Sequence, residues 1–161
     1  MKSTKTVGEQ ANQLWNRLSP LPGGKWLFSK LIGFVIPYTG SVQPRVVSLQ
    51  PGHAVVNLHD RRRVRNHLKS IHAIALANLA EFTTGLATLS GMPPATRAIL
   101  TGLEVEYHKK ARGTLRAECT SDLPATIETQ SLKVEAKIYD ATSVCVATGR
   151  ATWLIGPEKT R

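Results

Sequence analysis

Glu81 is the only formally charged side chain between Lys69 and Arg97, in a chain of which 20% is charged. Residues 70–90 around it read SIHAIALANLAEFTTGLATLS, a stretch of helical length with almost no polar face. A carboxylate placed there must be paired, reach solvent or be chemically employed, because burying an unpaired charge is costly. A desolvated acid in such a setting is a candidate functional group. Thr84 and Thr88, at i+3 and i+7, share its helical face, which is otherwise rich in alanine. Asn66 and His72 stand just upstream, where the helix begins. Taken alone, Asn66 reads as a loop or capping residue and His72 as a structural hydrogen-bonder.

Other constellations carry less. His53, His59 and Asp60 lie on adjacent strand positions and form no convergent set, so no metal is expected. Cys119 and Cys145 fall in separate strand-like runs without CxxC or Cys/His spacing, and read as reduced, inert thiols. The net charge of +10 draws polyanions, whether nucleic acid, anionic lipid or the phosphates of a small molecule. Much of it sits in the 61–65 run, which includes Arg63, and in Lys109, Lys110 and Arg112. Solvated faces are the simpler reading of both. Aromatic residues make up 6% of the chain and none interleaves with these clusters, so base-stacking platforms are poor and nucleic-acid binding is not expected.

The elements that must hold Glu81 follow from punctuation and period. Helical spacing over 7–18 stops at Ser19-Pro20-Leu21-Pro22-Gly23-Gly24, and a second short helix over 25–36 ends at Pro37 and Gly40. That second segment is too short to span a bilayer. With Lys25 and Lys30 it reads either as a surface-lying helix or as one packed on the domain's own core, and the core is the expectation. The period then changes: 42–49 and 53–59 read as a hairpin about Gln50-Pro51-Gly52. A basic loop leads to the long helix over 71–90, terminated by Gly91-Met92-Pro93-Pro94. Four strand-like runs follow, at 97–109, 113–121, 128–139 and 144–155. Short turns favour antiparallel pairing, and a nearly all-apolar helix needs surrounding. The expected fold is therefore α+β, a curved antiparallel sheet of about six strands wrapped around the 71–90 helix.

This pattern resembles the hotdog fold, and within it the phenylacetate-pathway-type acyl-CoA thioesterases and their uncharacterised relatives. The resemblance covers residues 42–155 and rests on Asn66 in the loop, His72-Ala73 opening the helix and Glu81 within it, at separations of six and nine. It implies an acyl-CoA thioester substrate, with coenzyme A part of that substrate and no separate cofactor. It also implies a site between subunits of a homodimer or dimer of dimers (a homotetramer). In such a site the Ala73 N–H, at a positive helix N-terminus, serves as oxyanion donor. Glu81 is the general base or the nucleophile, and Thr84 and Thr88 position a water. Asn66 orients that water or bonds the thioester, while His72 positions the loop or contacts substrate. Arg63 and Lys110 are candidates for coenzyme A phosphates. The family pair is usually His-Gly, and Ala73 narrows the space that glycine leaves.

At 161 residues one domain is expected, with a helical segment over 1–40 joined to a hotdog domain over 41–161. No signal peptide is visible after the first lysines, and a cytoplasmic location is expected. Two function classes stand: an acyl-CoA thioesterase, and a non-catalytic acyl-CoA or acyl-carrier binding protein on the same fold. A basic nucleic-acid binder is a third, weaker one.

Overall fold

The computed structural model describes residues 6–123 and 127–158. Three helices come first: α1 (Val7–Leu18), α2 (Gly24–Val35) and α3 (Pro37–Val42). Thr6 caps α1 through a reciprocal box with Glu9, the Thr6 N–H donating to a Glu9 carboxylate oxygen at 2.8 Å. Trp15 of α1 meets Phe28 of α2 edge-on at 5.1 Å, both rings buried. The helix α3 departs from expectation. From sequence Pro37 predicts a stop, but proline at the first helical position sacrifices only an N–H that would be unbonded anyway. The chain turns at Ile36 and resumes helix, so the first strand begins later than position 42.

The strands are β1 (Arg45–Gln50), β2 (His53–Leu58), β3 (Thr96–Tyr107), β4 (Leu115–Thr120), β5 (Gln130–Tyr139) and β6 (Cys145–Pro157). They form one six-stranded antiparallel sheet in the order β1-β2-β4-β5-β6-β3. The long helix α4 (Ala73–Gly91) lies in its concave face, packed against β2, β4, β5 and β6. This is the expected α+β hotdog arrangement. Leu79, Leu115, Ile138, Val56 and Val146 make the fully buried layer between helix and sheet. The basic 61–65 run contains one 3₁₀ turn, Arg62–Val64.

Close helix–sheet approach depends on Gly149, where a Cβ would stand 2.3 Å from the Ala80 Cβ. The helices α1 and α2 close the remaining side of the core, with Gly8 against the Leu89 carbonyl and Asn12 donating to the Ser90 carbonyl at 2.6 Å. Among the described residues, no helix is long and apolar enough to cross a membrane.

Candidate active site

The N-terminus of α4 is set by side-chain hydrogen bonds. His72 is the N-cap, its Nδ1 accepting from the Ile74 N–H at 3.1 Å. An accepting Nδ1 carries no proton, so the ring proton sits on Nε2. Upstream, Asn66 Oδ1 accepts from the Leu68 N–H (2.9 Å), the Ser70 N–H (3.2 Å) and the Ser70 hydroxyl (3.1 Å). The carbonyl side of this amide is thus committed to the loop, which leaves the Asn66 NH₂ as its outward donor. The Tyr107 hydroxyl, at the end of β3, donates to the Ala73 carbonyl at 3.0 Å and ties the helix start to the sheet edge. The Ala73 N–H precedes any intrahelical acceptor, and no partner for it occurs among the described residues.

These groups meet in a cleft of about 350 Å³ that brings Asn66, Ala73, Tyr107 and Lys110 together. It is an anion-favouring mouth, with a free helix N–H, an amide donor and lysine around it. His72 and Arg63 open instead onto a neighbouring cleft of about 230 Å³.

Glu81 lies elsewhere on the helix. The α4 residues that keep some exposure, including Ile74, Ala77, Glu81 and Leu89, share one stripe at helical spacing. Glu81 therefore keeps partial access to solvent, although Gly85, one turn further on, packs against the Trp153 ring of β6. Among the described residues, no side chain bonds or pairs with its carboxylate. Burial raises its pKa above the ordinary value. Eight residues of helix separate it from Ala73, about 12 Å along the axis at 1.5 Å per residue.

Thr84 and Thr88 are fully buried. The Thr84 hydroxyl donates to the Glu81 carbonyl at 2.9 Å and accepts from the Trp153 indole N–H at 3.3 Å. It fastens α4 to β6 and so positions the backbone that carries Glu81. No hydrogen-bond partner for Thr88 Oγ1 occurs among the described residues.

Sequence reasoning passed over Tyr107 and Trp153. The first had a signal, a lone aromatic opening the run Tyr107-His108-Lys109-Lys110. The second had none, because its hydroxyl partner is 69 residues away in the chain. His53 and His59 face separate partners: His53 lies 3.1 Å from Glu118 and His59 3.1 Å from the Thr114 hydroxyl. Asp60 is bonded to Arg65, which lowers its pKa. Among the described residues no cluster of metal-ligating side chains occurs.

A curled antiparallel sheet around a central helix defines a hotdog-fold protein. The chain belongs to the family described as a domain of unknown function, DUF4442, whose model matches residues 24–155. A structural-genomics crystal structure is 33% identical, with a TM-score of 0.75, covering 94% of this chain and 99% of its own. A Pseudomonas aeruginosa protein described as of unknown function and a probable thioesterase is 22% identical (TM-score 0.73; 86% of this chain, 97% of its own). A Streptococcus mutans protein crystallised with acetyl-CoA is 20% identical (TM-score 0.61; 71% and 90%). No functionally curated protein matches the sequence.

Proposed function

We propose that this protein hydrolyses acyl-CoA thioesters at a site assembled between two copies of the chain, with Glu81 of one copy facing the α4 N-terminus of the other. The observation that carries the reading is the Glu81 carboxylate: partly buried, without a partner among the described residues, and on a stripe of α4 that keeps some exposure. Retaining such a group costs stability, and catalysis is the return that accounts for it. The structures described as a thioesterase and as an acetyl-CoA complex support the chemical class.

The two-copy requirement follows from distance. An attacking group stands about 3–3.5 Å from its carbon. Glu81 and the Ala73 N–H of one chain are about 12 Å apart along the helix, too far to serve one carbonyl even with the glutamate side chain leaning back. The 12-residue edge strand β3 exposes Ile99, Leu103 and Tyr107 and offers unpaired backbone to a second copy.

In the general-base route, Glu81 takes a proton from water and the resulting hydroxide adds to the thioester carbon. The oxyanion is held by the Ala73 N–H and the Asn66 NH₂. Collapse breaks the C–S bond, and the proton passes to the departing coenzyme A thiolate. In the nucleophilic route the Glu81 carboxylate itself adds and the C–S bond breaks, expelling coenzyme A as a thiolate that takes a proton from water and leaving a mixed anhydride that a second water then cleaves. Lys110 and Arg63 meet the phosphates.

The second reading, binding without turnover, draws on the methyl group that Ala73 places where substrate approaches the backbone. A panel of acyl-CoA substrates given to wild type and Glu81→Ala separates the readings. Turnover lost in the variant supports hydrolysis. Tight binding with no turnover in either protein selects the carrier, and equal turnover in both removes Glu81 from the mechanism.

A further inference from the structure

The N-terminal helices carry a feature that the hydrolytic site does not use. The helix α2 buries Phe28 completely, yet its opposite side is also apolar. Together with the start of α3 it holds seven large side chains in solvent: Trp26, Leu27, Leu31, Phe34 (86% exposed), Val35 (73%), Ile36 and Tyr38 (60%). An apolar patch of this kind is a docking surface rather than incidental exposure. Its charge says for what. Between Glu9 and Asp60 the sequence has no acidic residue, while Arg17, Lys25, Lys30 and Arg45 fall in that interval. A cavity of about 420 Å³ opens beside the patch, with Trp26, Phe34 and Phe82 as aromatic walls and Lys30, Arg45 and Arg61 as cations, and no carboxylate lines it. Lys30 also lies over the Trp26 ring at 5.9 Å.

A second copy docked face to face would bring two sets of Lys30 and Arg45 into one interface with no acid from this face to oppose them, which is unfavourable. A partner with apolar depth and an anionic surface satisfies both halves of the face at once. We propose that the outer face of α2 and α3 docks on an anionic lipid surface. Phe34 and Trp26, which share one side of α2 with Lys30 between them, insert to the boundary of headgroups and acyl chains, and Lys30, Arg45 and the free part of the Arg61 guanidinium lie at phosphate level. Tryptophan and tyrosine suit that depth, having an apolar body and a polar edge. This is surface docking, distinct from spanning. It is independent of the hydrolytic reading, since no residue placed in that site takes part.

Co-sedimentation with vesicles tests it, using phosphatidylcholine alone or doped with phosphatidylglycerol. Wild type sediments with the doped vesicles only, and raising the salt weakens the binding. The variant Phe34→Glu, at an exposed position that leaves the core intact, loses affinity by roughly tenfold or more. The double variant Lys30→Glu/Arg45→Glu does the same. Lys133→Glu/Lys137→Glu, an equal charge change on exposed positions of β5, leaves sedimentation unchanged. Wild type remaining in the supernatant with doped vesicles overturns the proposal. So does undiminished sedimentation of Phe34→Glu. Light scattering in which that variant dissociates an oligomer, with no vesicle binding by wild type, assigns the face to self-association instead.

Discussion

Replacing Gly149 by Ala asks whether the contact between α4 and the sheet is as close as it looks. Gly149 sits in β6, opposite Val105 of β3 and Ala136 of β5, and is not among the positive-φ glycines. Its backbone therefore admits alanine, and on conformational entropy alone the change would stabilise by about 0.4–1 kcal/mol. Packing reverses the sign. The new Cβ would stand 2.3 Å from the Ala80 Cβ, whereas carbons rest at about 3.5–4.0 Å. Neither atom is the end of a flexible side chain, so α4 must lift by about 1.2–1.7 Å to reach that contact distance. Overpacking of this kind costs about 1–3 kcal/mol, a fall in Tm of roughly 2–12 °C for a domain of this size. Urea unfolding followed by circular dichroism measures it, with an unchanged m value showing that the denatured state is unaltered. Because Ala80 precedes Glu81, the same displacement is expected to lower thioester turnover by up to about 10²-fold. Stability equal to or above wild type would refute the close-packing argument outright, since only the contact opposes the entropic gain.

Three further outcomes follow from the side-chain geometry. The raised pKa of Glu81 means that, between the ordinary carboxylate pKa and the raised one, the folded state binds more protons than the unfolded state, so stability falls as pH rises through that window. Glu81→Gln should remove this slope and be the more stable protein above it, with the gap closing in acid; urea titrations at several pH values check the sign. Asn66→Asp keeps the three accepted hydrogen bonds and loses the amide donor, whereas Asn66→Ala loses both. The aspartate variant should therefore hold wild-type stability with impaired turnover, and the alanine variant should lose about 1–3 kcal/mol as well, which paired unfolding and kinetic measurements resolve. Burial pushes the Cys119 thiol up to about 12, so a thiol reagent near neutral pH should label Cys145 in the folded protein and reach Cys119 only on unfolding.

Much of the frame was legible because local rules and global packing agree. The Pro-Gly stops around 19–24 and 91–94 mark helix ends, and the change of period from helical to alternating falls where the sheet starts. Pro37 misled because one residue type both ends helices and opens them, and only the turn at Ile36 decides which. The apolar run of α2 predicts a helix packed on the core. Its Phe28 is, but an apolar helix does not announce which side stays outside.

At the site, the isolation of Glu81 could be read directly, since charge spacing is a property of sequence. The commitment of Asn66 Oδ1 to Ser70 and Leu68 could not, because spacing fixes neighbourhood and not the direction of an amide. Nor could the engagement of Thr84 by Trp153, a contact made only once β6 closes over α4.

Mixing two inactive variants tests the two-copy site most directly. Glu81→Ala and Asn66→Ala, each assayed alone on an acyl-CoA substrate, should be defective in every site. Unfolded and refolded together, they form mixed pairs in which one site receives Asn66 from one chain and Glu81 from the other, and turnover should return. A mixture no more active than its parents, or a Glu81→Ala protein as active as wild type, would contradict the account.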